Sequence, residues 1–305
     1  PVQNYEDLEP YIERQIKTKN LELTSEQPIL YARTSGTTNK PKLIPILRST
    51  VNAYKWGQRI FLYAQYTAFR DMFSGYLLAI AGPAVEGHLD NGVPYGSMSG
   101  LVYKEMPWFT KKKFILPPEV FGIENYDAKY TVIAAFGLAR ENVTAMGSAN
   151  PSTFIKLLDV INMKWQGITY IIRTGNFSKI QDLEESERDS ISKYFYKDPE
   201  RANTLEQIFT KNKKATYADL WPNLKVVSTW TAGSCSVLIP ALRENLSSTT
   251  HIVETGYFAS EFRGTITVDA KNNRAVPTLH ETFFEFVEKD KWESGTPQFQ
   301  TIETI

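Results

Sequence analysis

The chain reads as a mixed α/β fold, with β-sheets flanked by helices, and three observations predict it. Short apolar runs such as "ILYA" and "YLLAIA" stop abruptly in Ser-, Thr- or Gly-rich segments, as buried strands do. Between them lie longer stretches with apolar residues at helical spacing. In the last third, "LKVVSTW", "HIVETGYFAS" and "GTITV" are β-branched runs, with helical spacing over residues 240–246 between the first two. Strand, helix, strand alternation argues for a parallel or mixed sheet.

Residues 5–17 have Leu8, Tyr11, Ile12 and Ile16 on one side and predict an amphipathic helix. Residues 29–32 predict a buried strand. Ser49 is the expected N-cap of a helix running to about Tyr66. Residues 76–81 predict a second buried strand, followed by the Gly-rich connection "DNGVPYGSMSG". Helical spacing returns over 127–140, and 143–146 predict a strand. Pro151 is the expected first residue of the next helix. Residues 181–214 are charged and predict solvated helix. "ETFFEFVE" predicts a final strand. No repeat or low-complexity segment interrupts the chain.

Composition narrows the function. The 305 residues can bury a sizeable core, as one large domain or two ordinary ones. Lys plus Arg and Asp plus Glu balance at 34 each, so no global field draws in nucleic acid or an anionic membrane. No apolar run approaches the roughly 18–20 residues that span a bilayer. The one cysteine, Cys235, excludes an internal disulfide framework and suits a reducing, cytoplasmic setting. It reads as inert packing. The start, "PVQNYEDLEP", lacks Met and any signal-peptide pattern, and the end, "TPQFQTIETI", lacks a capping or turn signal. The expectation is that both ends are cut and the natural protein is longer.

Two clusters carry chemistry. "RTSGTTNKPKLIP" crowds Ser35, Thr37 and Thr38 around Gly36, directly after a predicted strand. Gly36 lets backbone approach a ligand closely, and Lys40 and Lys42 add positive charge a few residues on. A phosphate-binding loop follows from that pattern, and an ordinary Ser/Thr-rich turn is the alternative. The spacing is not G-x-x-x-x-G-K-[ST], and no G-x-G-x-x-G follows an early strand. The second cluster is "ETGYFASEFRG". Tyr257 offers a flat face for a purine or for a core, Ala259 and Ser260 leave room for a ligand, and Glu261 offers a hard oxygen for Mg²⁺. A strand end with a surface Glu is the plainer reading. His88, His251 and His280 are isolated and read as structural. The aromatic stretch 106–109 reads as core, with an acyl-pocket wall as the alternative.

T-S-G-T-T-x-x-P-K resembles the phosphate loop of the adenylate-forming enzymes, and the Leu43-Ile44-Pro45 extension resembles the GH3 family of acyl acid amido synthetases among them. "YFASE" is similar to their Tyr-x-x-Ser/Thr-Glu motif, with Phe258 in place of the usual small residue. "LWPNLKVVSTWTAGSCSVLIPALRE" resembles the GH3 block of Trp-Pro-Asn-Leu-Lys, a Thr-Gly turn and Ile-Pro-x-Leu. "FFEFVE" and "YEDLEPYIER" fit in register on either side. The resemblance implies the large N-terminal adenylation domain of a firefly luciferase-like enzyme over most of 1–305. It implies ATP held by Ser35, Gly36, Thr37, Thr38, the turn of Thr231, Ala232, Gly233 and Ser234, and Tyr257, Ala259 and Ser260. Lys42 and Glu261 would be catalytic, with Glu261 holding Mg²⁺. The family's Tyr-Arg-x-Gly-Asp motif is not in the sequence and is expected beyond Ile305, with a C-terminal domain. The implied reaction adenylates a small carboxylic acid and passes the acyl group to an amino acid. An acyl-CoA or acyl-protein ligase is the alternative, and a non-catalytic ATP- or carboxylate-binding module is a further one.

Overall fold

The computed structural model describes residues 3–34 and 41–305, except the side chain of Phe109. A four-stranded sheet forms its centre. Its strands are Tyr76–Ala79, Val143–Gly147, Val226–Thr229 and His251–Glu254, in that spatial order and all parallel. Parallel neighbours need helical crossovers, and the charged and amphipathic stretches between these strands supply them. The two middle strands are almost wholly buried, which explains their near-continuous apolar sequence.

Helix Tyr126–Leu138 is apolar all round because it lies inside, between this sheet and helix Ser152–Thr174. Helix Pro199–Lys211 packs outside Ser152–Thr174. The 181–214 region is therefore less solvated than its charge suggests. Ile191, Ala202, Leu205 and Phe209 are buried, as is Arg201. Arg201 Nε donates to Leu138 O at 3.0 Å, and Nη2 donates to Leu220 O at 2.8 Å. A cation thus closes the negative C-terminal end of the apolar helix. Trp221 of the Trp-Pro-Asn block is core: its ring stacks on Tyr217 and its Nε1 donates to Arg140 O at 2.9 Å.

A second sheet contains Leu30–Arg33, Leu43–Ile46, Gly87–His88 and Pro94–Gly96. The first two pair antiparallel, and Thr34 N donates to Lys42 O at 3.1 Å just beyond their ends. Leu-Ile-Pro is thus an edge strand, where Pro45 opposite Tyr31 costs no ladder bond to a further neighbour. The Gly-rich connection holds the Pro94–Gly96 strand, which its proline and glycines conceal.

Three expectations shift. Helix Arg48–Ala68 begins one residue before Ser49, with Leu47 at its N-cap. Ser49 gives its hydroxyl proton to Glu26 Oε1 at 2.8 Å, and the same oxygen accepts from Ser49 N at 3.2 Å. A carboxylate distant in sequence therefore does the capping. "ETFFEFVE" contributes only the two-residue strand Glu285–Phe286. Pro151 stands at the N-cap of helix Ser152–Thr174 instead of its first helical position.

Candidate active site

A cavity of about 390 Å³ opens at the C-terminal ends of the parallel strands, where open α/β sheets place ligands. Ala79, Gly147, Ser148, Trp230 and Thr255 come from those strand ends or just beyond them. Helix Arg48–Ala68 covers it with Tyr54, Gln58, Phe61, Leu62 and Gln65, which share one face at helical spacing. Met72, Leu77, Val102, Phe114 and Met146 complete an apolar interior. Met106 also lines it, so the 106–109 stretch is part pocket wall, while Trp108 is exposed. No histidine lines the cavity, nor does Cys235.

Both downstream motifs meet beside this cavity, and one carboxylate joins them. Glu254, last residue of its strand, accepts from Thr231 N and from Thr231 Oγ1, each at 2.7 Å, on Oε2. Its Oε1 accepts from Gly256 N at 2.9 Å. Trp230 Nε1 donates to Gly256 O at 3.0 Å, and the Trp230 ring packs on Phe258, 5.0 Å between centroids. The turn of Thr231, Ala232, Gly233 and Ser234 is thereby stapled to the Tyr257 segment. Ala232, Gly233 and Ser234 are exposed, and open space surrounds Gly233 at φ +59°.

Residues 257–264 form a narrow hairpin. Gly264 N donates to Tyr257 O at 2.8 Å, and Ala259 N donates to Phe262 O at 2.9 Å. Gly256 enters it at φ +90°, and a Cβ there would lie 2.6 Å from Thr265 O, so the position requires glycine. Tyr257 stands 63 % exposed, its ring edge-on to Phe262. Glu261 is exposed at the tip, while Ala259 and Ser260 line the cavity. The Tyr54 phenol donates to Ala259 O and pins the tip to the covering helix. Burial raises the Tyr54 pKa above its ordinary value, and the Arg263 charge opposes that rise.

Ser35, Gly36, Thr37 and Thr38 lie outside the described residues. Arg33, the last residue of strand Leu30–Arg33, lines the cavity. Lys42 is turned elsewhere. Its Nζ lies 3.1 Å from Glu6 Oε1 and 4.8 Å from the centre of the Tyr5 ring. A backbone hydrogen bond, and after it Lys42, holds the Glu6 carboxyl below its ordinary range. The N-terminal helix Tyr5–Thr18 thus secures the strand after the loop, and Tyr5 OH also accepts from Leu43 N at 2.9 Å.

Among the described residues, no group of three or more His, Cys, Asp or Glu could hold a metal by itself. A Mg²⁺ ion fits such a place when one or two carboxylates share it with phosphate oxygens and water. Glu261, exposed beside the cavity, has that character. Sequence reasoning missed Glu254, Tyr54, Gln58 and Arg263. Glu254 and Arg263 stand inside the quoted motif, but Thr231 and Gln58, which they hold, lie 23 and 205 positions away in sequence.

The fold matches solved acyl acid amido synthetases. The GH3.15 enzyme of this type, in complex with 2,4-DB, superposes with a TM-score of 0.81 over 95 % of this chain and 52 % of its own, at 22 % identity. The sequence matches the GH3 family N-terminal domain over residues 1–251, and the chain belongs to the GH3 family. It is 26 % identical over 278 residues to an indole-3-acetic acid-amido synthetase, GH3.5, of Arabidopsis thaliana, covering 86 % of this chain and 44 % of that protein. It is 23 % identical to the Arabidopsis 4-substituted benzoates-glutamate ligase GH3.12, covering 95 % of this chain and 52 % of that protein. The chain spans about half the length of these curated relatives. No helix among the described residues is long and apolar enough to cross a membrane.

Proposed function

We propose that residues 1–305 form most of the large N-terminal adenylation domain of an acyl acid amido synthetase, a ligase that forms carbon–nitrogen bonds. The observation that carries this reading is the Glu254 carboxylate, which ties the 231–234 turn to the Tyr257 hairpin beside an apolar cavity. Family membership and the names of the relatives support it.

The exposed Tyr257 face and the open turn at Gly233 suit adenine. Ser35, Gly36, Thr37 and Thr38 hold the triphosphate through hydroxyl and backbone donors. Glu261 would help hold a Mg²⁺ ion, which would neutralise phosphate charge. The apolar cavity takes the body of a small carboxylic acid. A carboxylate oxygen attacks the α-phosphorus, the bond to the β-phosphate oxygen breaks, and pyrophosphate leaves with that electron pair. The acyl-adenylate then meets an amino acid amine, whose nitrogen bonds the acyl carbon as AMP departs and the amine loses a proton. Positioning and charge stabilisation carry the first step, so no nucleophilic side chain is required. Lys42 serves the triphosphate in this reading, which requires it to leave Glu6. The lone cysteine and balanced charge suit the cytoplasm.

ATP–pyrophosphate exchange on the full-length protein tests this reading against a panel of aromatic and fatty acids. Exchange that depends on one acid, followed by product formation with an amino acid and not with CoA, is the expected result. Acid-dependent exchange with CoA as the sole acceptor would replace it with the acyl-CoA ligase reading. Binding of Mg–ATP without exchange across the panel would favour a sensor.

A further inference from the structure

Arg263 is a buried cation that none of the motifs uses. It is 7 % exposed and lines the cavity. Nη1 donates to the Gln58 amide oxygen at 3.2 Å, and Nη2 donates to Thr255 O at 3.4 Å, both long and both to neutral acceptors. Nε has no acceptor. The chain passes so close to Gly57 that a Cβ there would stand 2.7 Å from Arg263 Cδ. Among the described residues no carboxylate forms an ion pair with Arg263. Burial pushes its pKa down to about 10, opposed by Tyr54 and Glu281. Glu281 Oε1 lies 3.2 Å from His280 Nε2, and Glu281 forms no ion pair with Arg263. Arg263 therefore keeps its charge at neutral pH.

We propose that the Arg263 guanidinium is the anchor for the carboxylate of the acid substrate, a role that rests on the cavity being the acid pocket.

A carboxylate entering apolar walls loses its water and needs a counter-charge. Among the described residues, two cations line the cavity. Arg33 is partly exposed and already paired with Glu86 at 3.4 Å. Arg263 is buried and has only neutral partners. The rings of Phe61 and Phe258, 5.7 and 5.8 Å from its guanidinium carbon, give it a weakly negative bed and hold its plane. The other buried arginine, Arg201, contrasts with it, since two shorter bonds commit it to carbonyls in the core. Arg263 also stands two residues after Glu261 in the same hairpin. A carboxylate on its Nη groups would lie beside the hairpin whose tip carries Ser260, which lines the cavity, and the exposed Glu261. Arg263 thus selects anions and sets the end of the acid that is presented.

Calorimetry on the full-length protein without ATP tests the anchor, using indole-3-acetate and phenylacetate, each against its neutral primary amide. The acids are expected to bind about 10- to 100-fold more tightly than the amides, the range of a hydrogen bond to a charged group. Arg263→Met should abolish that preference, and Arg263→Lys should restore part of it. In ATP–pyrophosphate exchange the Met variant should raise KM for the acid by a similar factor while kcat changes much less. Equal binding of acid and amide by the wild type, no binding of either acid, or a preference kept by Arg263→Met would each overturn the proposal. If the Met variant does not fold, the wild-type comparison and the Lys variant decide. The two readings fail separately. Exchange that ignores Arg263→Met removes the anchor and leaves the ligase. Arg263-dependent acid binding without exchange removes the ligase and leaves the anchor.

Discussion

Glu254 holds Thr231 by two bonds on a single oxygen, from the backbone N–H and from the hydroxyl, each 2.7 Å long. The other oxygen takes Gly256 N. One side chain therefore sets the distance between a turn and a hairpin that are 23 residues apart. Glu254→Gln keeps the shape but turns an amide NH₂ toward donors. Each charge-assisted bond lost is worth about 1.5–3 kcal/mol. The expected result is an ATP dissociation constant raised by roughly tenfold or more, with a smaller fall in melting temperature. Calorimetry with ATP checks it, and unchanged affinity would detach this staple from nucleotide binding.

Glu261→Ala should remove Mg²⁺-dependent exchange and leave the fold intact. The side chain is exposed, and surface substitutions usually cost within about 0.5 kcal/mol. Exchange across a Mg²⁺ titration, with a melting curve alongside, separates the two effects. Normal turnover would end the metal role.

Gly256→Ala tests the hairpin entry. Its φ of +90° and the 2.6 Å approach of Thr265 O leave no place for a methyl group. Strain of this kind costs about 1–3 kcal/mol. The melting temperature should fall, and ATP affinity with it. A variant as stable as wild type would show that the segment relaxes freely.

Tyr54→Phe removes the phenol that holds Ala259 O against the covering helix. A stability loss of about 1 kcal/mol is expected, and the freed tip should raise KM for both ATP and acid. Denaturant unfolding gives the first number and exchange kinetics the second. A loss of stability with unchanged KM values would make Tyr54 a packing residue only.

Glu105 should give stability an acid limb. Lys55 and Arg48 on the covering helix bond its carboxylate, next to helix Met98–Lys104 on the opposite wall. The Lys55 hydrogen bond, first among the causes, holds its pKa below the ordinary 4.5. A depressed folded pKa means the pair stabilises above the unfolded value and fades as pH falls through the folded one. Its partners are partly exposed, so the effect is about 0–1 kcal/mol. Glu105→Gln should lower stability at pH 7 and nearly match wild type near pH 3. Chemical unfolding at both values reads the difference, and parallel curves would exclude the linkage.

The sequence placed helix Tyr5–Thr18, the buried strands and helix Tyr126–Leu138 to within a few residues, because apolar periodicity reports burial along a local element. It also supplied the Tyr257 hairpin and the 231–234 turn as motifs. It concealed strand Pro94–Gly96 under turn-forming residues, and it put the cap of helix Arg48–Ala68 on Ser49 when Glu26 supplies it. It read residues 181–214 as solvent-facing, although Arg201 and three apolar neighbours close a core layer.

What the sequence determined by itself was residue type in local order: the alternation of strand and helix, the family, and the two hydroxyl- and Glu-bearing motifs. The tertiary structure decided their partners. Glu254 joins two segments, Tyr54 reaches a carbonyl 205 positions away, and Arg263 faces the cavity without a carboxylate. Local pattern reflects torsional preference and burial within a few residues, whereas a hydrogen bond or a desolvated charge depends on which distant groups the packed chain brings within about 3 Å.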